Sequence, residues 1–429
     1  MRTSRTAVAV TAVALLALSA CGRDAPPAAG GSGNTSASAN TSKIGDAKAG
    51  GTITVWAMGT EGEKLGALAK NFEAANPGVK VQVTPVPWSA AHDKFTNAIT
   101  AGTTPDAAMV GTTWMGEFVG LDALDPTPSD IDKSVFFDGA QKTTEVGGAS
   151  YGVPWYVETR LIYYRTDLAK KAGITEPPKD WDSLKAMAKA MQDKAGAKFG
   201  LGLQPGKAGS WQTIMPLAWS NGAQVTDDKG GYTFDTPQMA EAVKYYQSYF
   251  TDGIADKAQP EGQAEASFAD GSVPMLVSGP WTMKAVEEVG GAGFADKYDV
   301  MPLPKKVSST SFVGGSNFAV FKASKNKATA WKFVQYLSDP KTQVTWYQQS
   351  TDLPSIKSAW DDPALKGDAK LAKFGAALET AKAPPAFATW EEVAGAFDSE
   401  MEKVMKTGED PAAALKAVQA KAQSIGTGK

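Results

Sequence analysis

YGVPWYVETRLIYYRTD, residues 151–167, contains two strand patterns separated by a short polar segment. Its beginning indicates a strand that Pro154 restricts to a sheet edge or a strand end, because proline has no N–H to donate to a ladder. Residues 161–164 follow as a continuous apolar run, which is typical of a strand buried on both faces, and lead into a helix. This pattern predicts that the chain crosses here from one lobe to another.

The short polar segment between the two runs contains Tyr156, Glu158 and Arg160. At the two-residue period of a strand these side chains share one face, which places an aromatic ring, a carboxylate and a guanidinium side by side. That set suits a polyhydroxylated ligand. The alternative interpretation is an ordinary surface ion pair of Glu158 and Arg160 beside an aromatic residue.

The residues before this crossing alternate between strand and helix patterns. A strand, a helix and a strand are predicted at residues 52–56, 62–75 and 79–83, and another helix and strand follow around 95–99 and at 107–110. Such alternation predicts an α/β fold with an open sheet and helices on both faces. Since ligands of open sheets bind beyond the carboxyl ends of strands, the candidate binding loops are residues 56–61, the segment around Trp88, and residues 111–114.

The second half of the chain continues in the same style. Helix patterns cover residues 181–194, 237–251, 328–337 and 410–425, and strand patterns cover 273–277, 298–303 and 318–321. Two glycine-containing breaks, at 278–281 and 314–317, lie beside these strands. The pattern therefore predicts a second α/β lobe.

Length and composition exclude several classes of protein. With 429 residues the chain is too long for one ordinary core, so two domains are expected. A net charge of −3 without a basic run gives no reason to expect nucleic acid as a partner. The chain has one histidine and one cysteine, so it cannot form a disulfide framework or a thiolate metal site. We therefore expect no metal and no cofactor.

The first 50 residues carry an export pattern. Residues 1–20 combine a short basic start with an apolar run and small residues, which predicts a signal peptide. Leu18 to Cys21 resembles the bacterial lipobox, in which the cysteine is lipidated and becomes the first residue of the mature protein. Residues 21–50 are rich in glycine, serine and alanine and predict a disordered tether. We therefore expect an exported protein that is lipid-anchored through Cys21 to the outer face of the cytoplasmic membrane.

The twelve tryptophans provide the main indication of a ligand. Several of them follow strands, where an exposed indole needs something to cover it, and a sugar ring does this well because its C–H face stacks on an aromatic ring. These tryptophans are Trp56, Trp88, Trp114, Trp211, Trp281 and Trp390. The polar residues expected to meet the sugar hydroxyls are Glu61, Thr112, Thr113, Glu158, Arg160, Gln212 and Asn317, with Gly315 and Ser316 in the same break as Asn317.

The chain resembles the extracellular solute-binding protein family 1, the carbohydrate receptors of bacterial ABC importers related to maltose-binding protein. The resemblance begins near Gly51 and depends on the order and spacing of short motifs along the whole body. These are GTITVW at 51–56, PD at 105–106, YGVP at 151–154, LIYYRTDL at 161–168, PPKDW at 177–181, SGPW at 278–281, MPLP at 301–304, GGSN at 314–317 and FVQYLSDP at 333–340.

The resemblance implies a two-lobed periplasmic-binding-protein-like fold of type II, with hinged lobes and a ligand cleft between them. The crossings would fall near Val157, Pro302 and residues 351–354. Lobe 1 would then hold residues 51–157 and 303–350, and lobe 2 residues 158–302 and 351–429. The implied partners are a carbohydrate and the transmembrane subunits of an ABC permease, and the binding protein itself would be a monomer.

The family's sugar contacts can be carried over to individual positions. Trp281 matches the stacking tryptophan that follows Gly-Pro, and Trp390 matches a second stacking aromatic. The matching polar and aromatic positions are Glu61, Thr113 and Trp114 in lobe 1, and Tyr156 and Glu158 beside the first crossing. Ser316 and Thr112 replace bulkier or acidic residues of some relatives, which argues against maltose itself.

Two other functions compete with a sugar receptor. An exported carbohydrate-active enzyme would need two carboxylates about 5 to 9 Å apart, and Glu61 and Glu158 are the available pair, but they are expected on separate lobes. The lone His92 would have to serve any histidine-dependent mechanism, and it lies in an ordinary helix start. The other alternative is a receptor for a peptide, a polyamine or a phosphodiester.

Overall fold

A six-stranded mixed sheet and a three-stranded antiparallel sheet form the framework of the protein in a computed structural model, which describes residues 42–46, 48–206, 209–258 and 262–428. Within these residues the strands are β1 (Gly51–Met58), β2 (Val79–Val86), β3 (Ala107–Gly111), β4 (Glu145–Val146), β5 (Ala149–Ser150), β6 (Val153–Thr159), β7 (Leu161–Arg165), β8 (Met275–Ser278), β9 (Tyr298–Met301), β10 (Val313–Val320) and β11 (Leu353–Pro354).

The helices surround these sheets, and several begin at a proline or at a capping aspartate. They are α1 (Gly59–Lys64), α2 (Gly66–Ala75), α3 (Trp88–Ala101), α4 (Met115–Gly120), α5 (Asp138–Lys142), α6 (Thr166–Lys171), α7 (Trp181–Ala195), α8 (Trp211–Ser220), α9 (Pro237–Thr251), α10 (Ala264–Asp270), α11 (Trp281–Gly290), α12 (Lys327–Leu337), α13 (Pro340–Ser350), α14 (Pro363–Lys366), α15 (Ala369–Leu378), α16 (Trp390–Thr407) and α17 (Pro411–Ile425). Among the described helices, none is long and apolar enough to cross a bilayer.

The six-stranded sheet has the order β11-β6-β10-β3-β1-β2. β1 pairs in parallel with β2 and β3, as the strand-helix-strand pattern predicts, whereas β10 runs antiparallel to both β3 and β6. One hydrophobic core covers this sheet and includes Phe72, Phe95, Trp155 and Trp331. The carboxyl ends of β1 and β3 therefore open toward the same edge, where α1 and the segment 112–114 follow.

The three-stranded sheet has the order β8-β7-β9 and is covered on both faces. Leu161, Ile162 and Tyr163 are all buried, so the continuous apolar run is explained by two hydrophobic layers rather than one. The two sheets carry separate sets of helices, which confirms the predicted two-lobed α/β class.

The chain passes from the six-stranded to the three-stranded sheet at a single residue, Arg160, between β6 and β7. It returns between β9 and β10, through residues 302–312. The two crossings are joined through the Arg160 backbone and the Ser311 side chain, because the Arg160 N–H donates to Ser311 Oγ at 3.2 Å and the Ser311 hydroxyl donates to the Arg160 carbonyl at 2.7 Å. The polar segment that the sequence predicts around residues 156–160 is thus strand up to Thr159, and Tyr156 and Glu158 lie on one face of it.

Two local predictions are wrong. Residues 314–317 do not break the chain but lie inside β10, where the register against β6 shifts between Ser316 and Asn317. The end of the predicted tether is also structured, since Ile44 is buried and its N–H donates to Asp130. In both cases tertiary contacts override composition, because a paired neighbour strand or a buried isoleucine outweighs the local preference of glycine and serine.

Candidate functional site

A cavity of about 570 Å³ lies where the two sheets approach each other. It is lined by the start of α1, where a loop was expected, by the start of α3, the segment after β3, one face of β6, the start of α11, part of β10 and the turn after α13. The residues proposed from sequence that line it are Glu61, Thr112, Thr113, Trp114, Tyr156, Glu158, Gln212, Trp281 and Gly315. Residues from both sheets thus meet at one cavity, as the rule for strand ends predicts.

One wall of the cavity is an aromatic platform built on α3 and α4. Trp88 is the first residue of α3 and Trp114 immediately precedes α4, and their ring centroids are 6.0 Å apart. Behind them, the His92 ring lies 5.2 Å from Trp114 and its Nε2 is 2.7 Å from Glu117 Oε2. Phe118 packs on both Trp114 and His92. This packing fixes the orientation of the two indoles before any ligand arrives.

The facing wall contains Trp281, the first residue of α11, which is 41% exposed. The guanidinium carbon of Arg160 lies 4.7 Å from the centre of its ring. Arg160 also donates to Gln212 Oε1 at 2.8 Å and forms an ion pair with Glu158 at 3.5 Å. Arg160 therefore ties together three side chains that line the cavity without lining it itself.

The floor of the cavity is the face of β6 that carries Tyr156 and Glu158. The Tyr156 hydroxyl donates to Glu61 Oε1 at 3.2 Å. Burial, followed by the negative charges of Asp352 and Glu61, raises the pKa of the Tyr156 hydroxyl well above its usual range, so the phenol stays protonated and remains a donor. Gly315 permits this arrangement, because its φ is +115° and a Cβ there would come within 2.2 Å of the Tyr156 carbonyl oxygen.

Asp352 supplies a further carboxyl to this cavity that the sequence analysis missed. It follows Thr351, which ends α13 in a left-handed conformation with φ of 70°. Asp352 Oδ2 accepts a hydrogen bond from Trp346 Nε1 at 3.0 Å, so the carboxyl is held in place. Burial, and next the charge of Glu61, raises the pKa of Asp352 to about 7. A half-protonated carboxyl at neutral pH can both donate to and accept from a ligand hydroxyl.

Six of the residues proposed from sequence lie outside the cavity. Trp211 and Trp390 are buried and pack edge-to-face at 5.1 Å, with Trp211 also at 5.1 Å from Phe312, so they support the cavity wall from behind. Asn317 is buried and hydrogen-bonded to Thr143. The others are Trp56, which packs on Phe95, Ser316, which is buried beneath Tyr156, and Arg160.

The placement of the tryptophans corrects their assignment to loops. Trp88, Trp211, Trp281 and Trp390 each begin a helix. At that position an indole turns either toward the cleft or into the core, and local sequence does not distinguish the two. The lining residues not singled out from sequence are Thr60, Gly111, Val157, Pro280, Phe312, Gly314, Ser350, Thr351, Asp352 and Leu353, whereas Trp88 was named among the tryptophans that follow strands. Val157 and residues 351–353 lie at predicted crossings, and Thr60, Gly111, Pro280 and Gly314 lie in predicted loops or breaks, which was the available signal.

The chemistry of the cavity is that of a binding site for an amphipathic, uncharged or weakly charged molecule. Indole faces alternate with carboxylates, threonine hydroxyls and an amide, and the cavity volume falls within the range of small-ligand sites. Within the described residues no group of three histidine, cysteine, aspartate or glutamate side chains is placed to hold a metal ion.

Comparison with known proteins agrees with this architecture. A family model of bacterial extracellular solute-binding proteins matches residues 67–373. A binding protein of Brucella abortus strain 2308 is 31% identical over 366 residues, which cover 83% of this chain and 88% of the relative. The maltotriose-binding protein of Pyrococcus abyssi strain GE5 is 26% identical over 371 residues, or 81% of this chain and 77% of the relative. The sugar-binding protein MalE of Xanthomonas citri has a TM-score of 0.82 at 30% identity, covering 87% of this chain and 97% of that one.

These similarities confirm three expectations from the sequence. The two-lobed fold with a cleft is that of the MalE structure, the protein is exported, and its family consists of binding proteins rather than enzymes. The match covers more than half of the chain and includes strands of both sheets. The chain belongs to the family of bacterial extracellular solute-binding proteins.

Proposed function

We propose that this protein captures a carbohydrate, of two or more sugar units, and delivers it to the permease subunits of an ABC importer. The observation that carries the proposal is the cavity itself, where Trp88 and Trp114 face Trp281 across a floor of polar side chains. Sugar rings fit such a site because their C–H faces stack on indoles while their hydroxyls require convergent donors and acceptors. The names of the relatives, one of which binds maltotriose, support the same class of ligand.

Each part of the cavity has a role in this proposal. Trp281 and the platform of Trp88 and Trp114 stack on sugar rings. Glu61 and Glu158 accept hydrogen bonds from hydroxyls, and the polar side chains that complete the set are Thr112, Thr113, Tyr156, Gln212 and Asp352. Because the two sheets contribute different parts of this set, a ligand that contacts both favours the closed arrangement over an open one.

The lobe boundaries are part of the proposal. We assign residues 51–157 and 303–350 to lobe 1 and residues 158–302 and 351–429 to lobe 2. The crossing at Arg160 and the return through residues 302–312 lie close to the first two boundaries, whereas β11 still pairs with β6 in the six-stranded sheet. Hydrogen exchange measured with and without ligand would test them, since protection gained on closure should be confined to the cavity and the crossings.

Attachment to the membrane is proposed from the lipobox alone, because Cys21 lies outside the described residues. A lipidated Cys21 holds the monomeric receptor near the permease while residues 22–41 provide reach. Metabolic labelling with palmitate tests this, since Cys21→Ser should abolish the label and release the protein into the medium. Retained label in that variant would show that the lipid is elsewhere.

A thermal-shift screen of the exported protein in mild detergent tests the ligand class. The panel contains mono-, di- and oligosaccharides, with amino acids, polyamines and glycerophosphodiesters for comparison. At one hundred times Kd a specific ligand adds about 2.7 kcal/mol to the free energy of unfolding, which is readily measured. A shift confined to one sugar class would support the proposal, whereas a shift only with a polyamine, peptide or phosphodiester would replace the carbohydrate by that solute.

A further inference from the structure

A second cavity, of about 300 Å³, lies behind Trp281 on the side of the three-stranded sheet. The end of β8, with Leu276 and Val277, forms one side of it, and Thr213 of α8 and Gln204 form another. Its volume is at the lower end of the range found for small-ligand sites. The cavity is therefore large enough for one additional ligand group.

This side cavity shares a boundary of side chains with the main cleft. Gln212 and Trp281 line both cavities, and Arg160 lines only the side cavity. The Arg160 guanidinium contacts both Gln212 and Trp281. It lies 2.8 Å from Gln212 Oε1, and its central carbon lies 4.7 Å from the centre of the Trp281 ring. Arg160 therefore stands at the boundary between the two cavities, in contact with both side chains that they share.

Gln212 is also the point at which a third cavity meets the other two. That cavity, of about 660 Å³, shares Thr113 and Gln212 with the main cleft and Gly209 and Gln212 with the side cavity. A guanidinium can only donate, so the Gln212 amide oxygen must face Arg160 and the amide nitrogen is left to donate elsewhere. A linear ligand that passes Gln212 continues into two cavities, whereas three cavities meet at this residue.

The side cavity has the mixed lining that a sugar unit requires. Gln204, Thr213 and Glu265 offer donors and acceptors, and Leu276 and Val277 offer an apolar surface. A purely apolar group would leave these polar side chains without hydrogen bonds, which is costly. Glu265 and Arg160 place one negative and one positive charge on the lining, so the net charge of the two favours neither an anion nor a cation. The lining is thus matched to a neutral polyhydroxylated unit.

We propose that the cleft binds a branched oligosaccharide, with the branching unit beside Gln212 and the branch in the cavity behind Trp281. This inference rests on the proposed capture of a carbohydrate and narrows it to branched ligands. Arg160, which a linear ligand leaves in place over Trp281, moves aside when the branch enters.

Calorimetric titration of the exported protein with matched pairs of oligosaccharides tests the inference. Each pair consists of a linear oligosaccharide and its singly branched counterpart with the same backbone, from an α-glucan, a β-mannan and a β-xylan series. We expect the branched member of one pair to bind at least tenfold more tightly than the linear member. Equal or tighter binding of linear members would overturn the inference and leave the carbohydrate function standing. Absence of binding by every sugar would instead overturn both.

A cavity-filling variant locates the branch. Thr213→Trp places an indole in the side cavity without altering a residue that lines the main cleft. It should reduce affinity for the branched ligand at least tenfold and leave affinity for the linear ligand within twofold. Thr213→Ser, which keeps the hydroxyl and adds no volume, serves as the matched control and should change neither affinity more than twofold. Loss of affinity for both ligands, or for neither, in a folded Thr213→Trp protein would overturn the inference.

A second variant avoids dependence on the folding of the first. Gln204 is exposed at the rim of the side cavity, so Gln204→Trp fills the entrance without disturbing a helix. The same selective loss of the branched ligand is expected, and an unchanged preference for it would place the branch elsewhere.

Discussion

Trp114 and Trp281 face the same cleft from different sheets, and they are held in different ways. The Trp114 ring lies within 6.5 Å of the rings of Trp88, His92, Phe95 and Phe118. The corresponding neighbour of Trp281 is the guanidinium of Arg160, a single polar group rather than a set of packed rings. A platform fixed by packing loses little conformational entropy on binding, whereas an exposed indole adapts to its ligand at an entropic cost. One wall of the cleft is thus preorganised and the other is adjustable.

The largest effect is expected when the fixed wall is removed. Trp114→Ala should lower the free energy of unfolding by about 3 kcal/mol, because four packed rings lose a common neighbour and a cavity remains. Urea denaturation measures this loss. An unchanged stability would show that the platform is not held by packing and would abolish the distinction between the two walls.

Removing the adjustable wall should leave stability intact and weaken binding. Trp281→Ala is expected to lower the affinity for the carbohydrate by about 1 to 3 kcal/mol, the scale of one lost aromatic anchor, with an unchanged Tm. Val289→Ala is the matched control, since Val289 is an exposed apolar residue of the same helix, α11, and does not line the cleft. Unchanged affinity in Trp281→Ala would remove this indole from the site.

Two carboxyl groups of the cleft, those of Glu158 and Asp352, also differ in the charges around them. Glu158 has Arg160 as a partner at 3.5 Å, whereas Asp352 is held by Trp346 and repelled by Glu61. A pKa of about 7 in the folded protein, against 3.8 in the unfolded chain, means that folding becomes less favourable as pH rises between these values. Asp352→Asn should therefore stabilise the protein by about 1 to 2 kcal/mol at pH 8, after allowance for partial exposure.

The same variant should give no gain at pH 4, where the carboxyl is already largely protonated in the native state. Thermal unfolding followed from pH 4 to 8 measures the difference. Asp361→Asn, which removes a carboxyl that is 80% exposed, is the control and should be neutral throughout. A gain that does not depend on pH would show that Asp352 destabilises the fold by its shape rather than by its charge.

The smallest effect is expected from the contact that braces the platform from behind. His92→Gln removes the 2.7 Å contact with Glu117 between α3 and α4 and should weaken ligand binding by about 0.5 kcal/mol. Asp93→Asn, with a side chain 89% exposed, is the neighbouring control and should not change affinity. An effect of His92→Gln as large as that of Trp281→Ala would mean that the platform, too, is adjustable.

Much of the fold was predictable because helix starts and strand periods are local signals. The helix α9 begins at Pro237 and ends at Thr251, as its proline and apolar stripe predict, and α7 begins after Asp180, whose side chain caps it. The Gly-Gly pair at residues 314–315 was predicted to break the chain but lies inside β10. Glycine permits a turn, but in a strand it also permits the close approach of a neighbouring strand. Only the pairing of β10 with β6 distinguishes the two.

The site was less predictable than the fold. Glu61, Thr113, Trp114 and Trp281 could be proposed because they follow strands or match family motifs, and all four line the cavity. Trp390 shares these signals and is fully buried, because a helix start does not reveal which face meets solvent. Asp352 carries no motif, and its place in the cavity depends on the left-handed turn at Thr351. Such long-range geometry has no counterpart in local sequence.

The two hydrogen bonds between Arg160 and Ser311 give the connection between the lobes a mechanical property. The paired crossings form a two-stranded ribbon whose members move together, because Arg160 and Ser311 are hydrogen-bonded to each other. Arg160 belongs to this ribbon through its backbone and to the edge of the cavity through its guanidinium. A displacement of the ribbon is therefore transmitted within one residue to Gln212 and Trp281, which line the cleft.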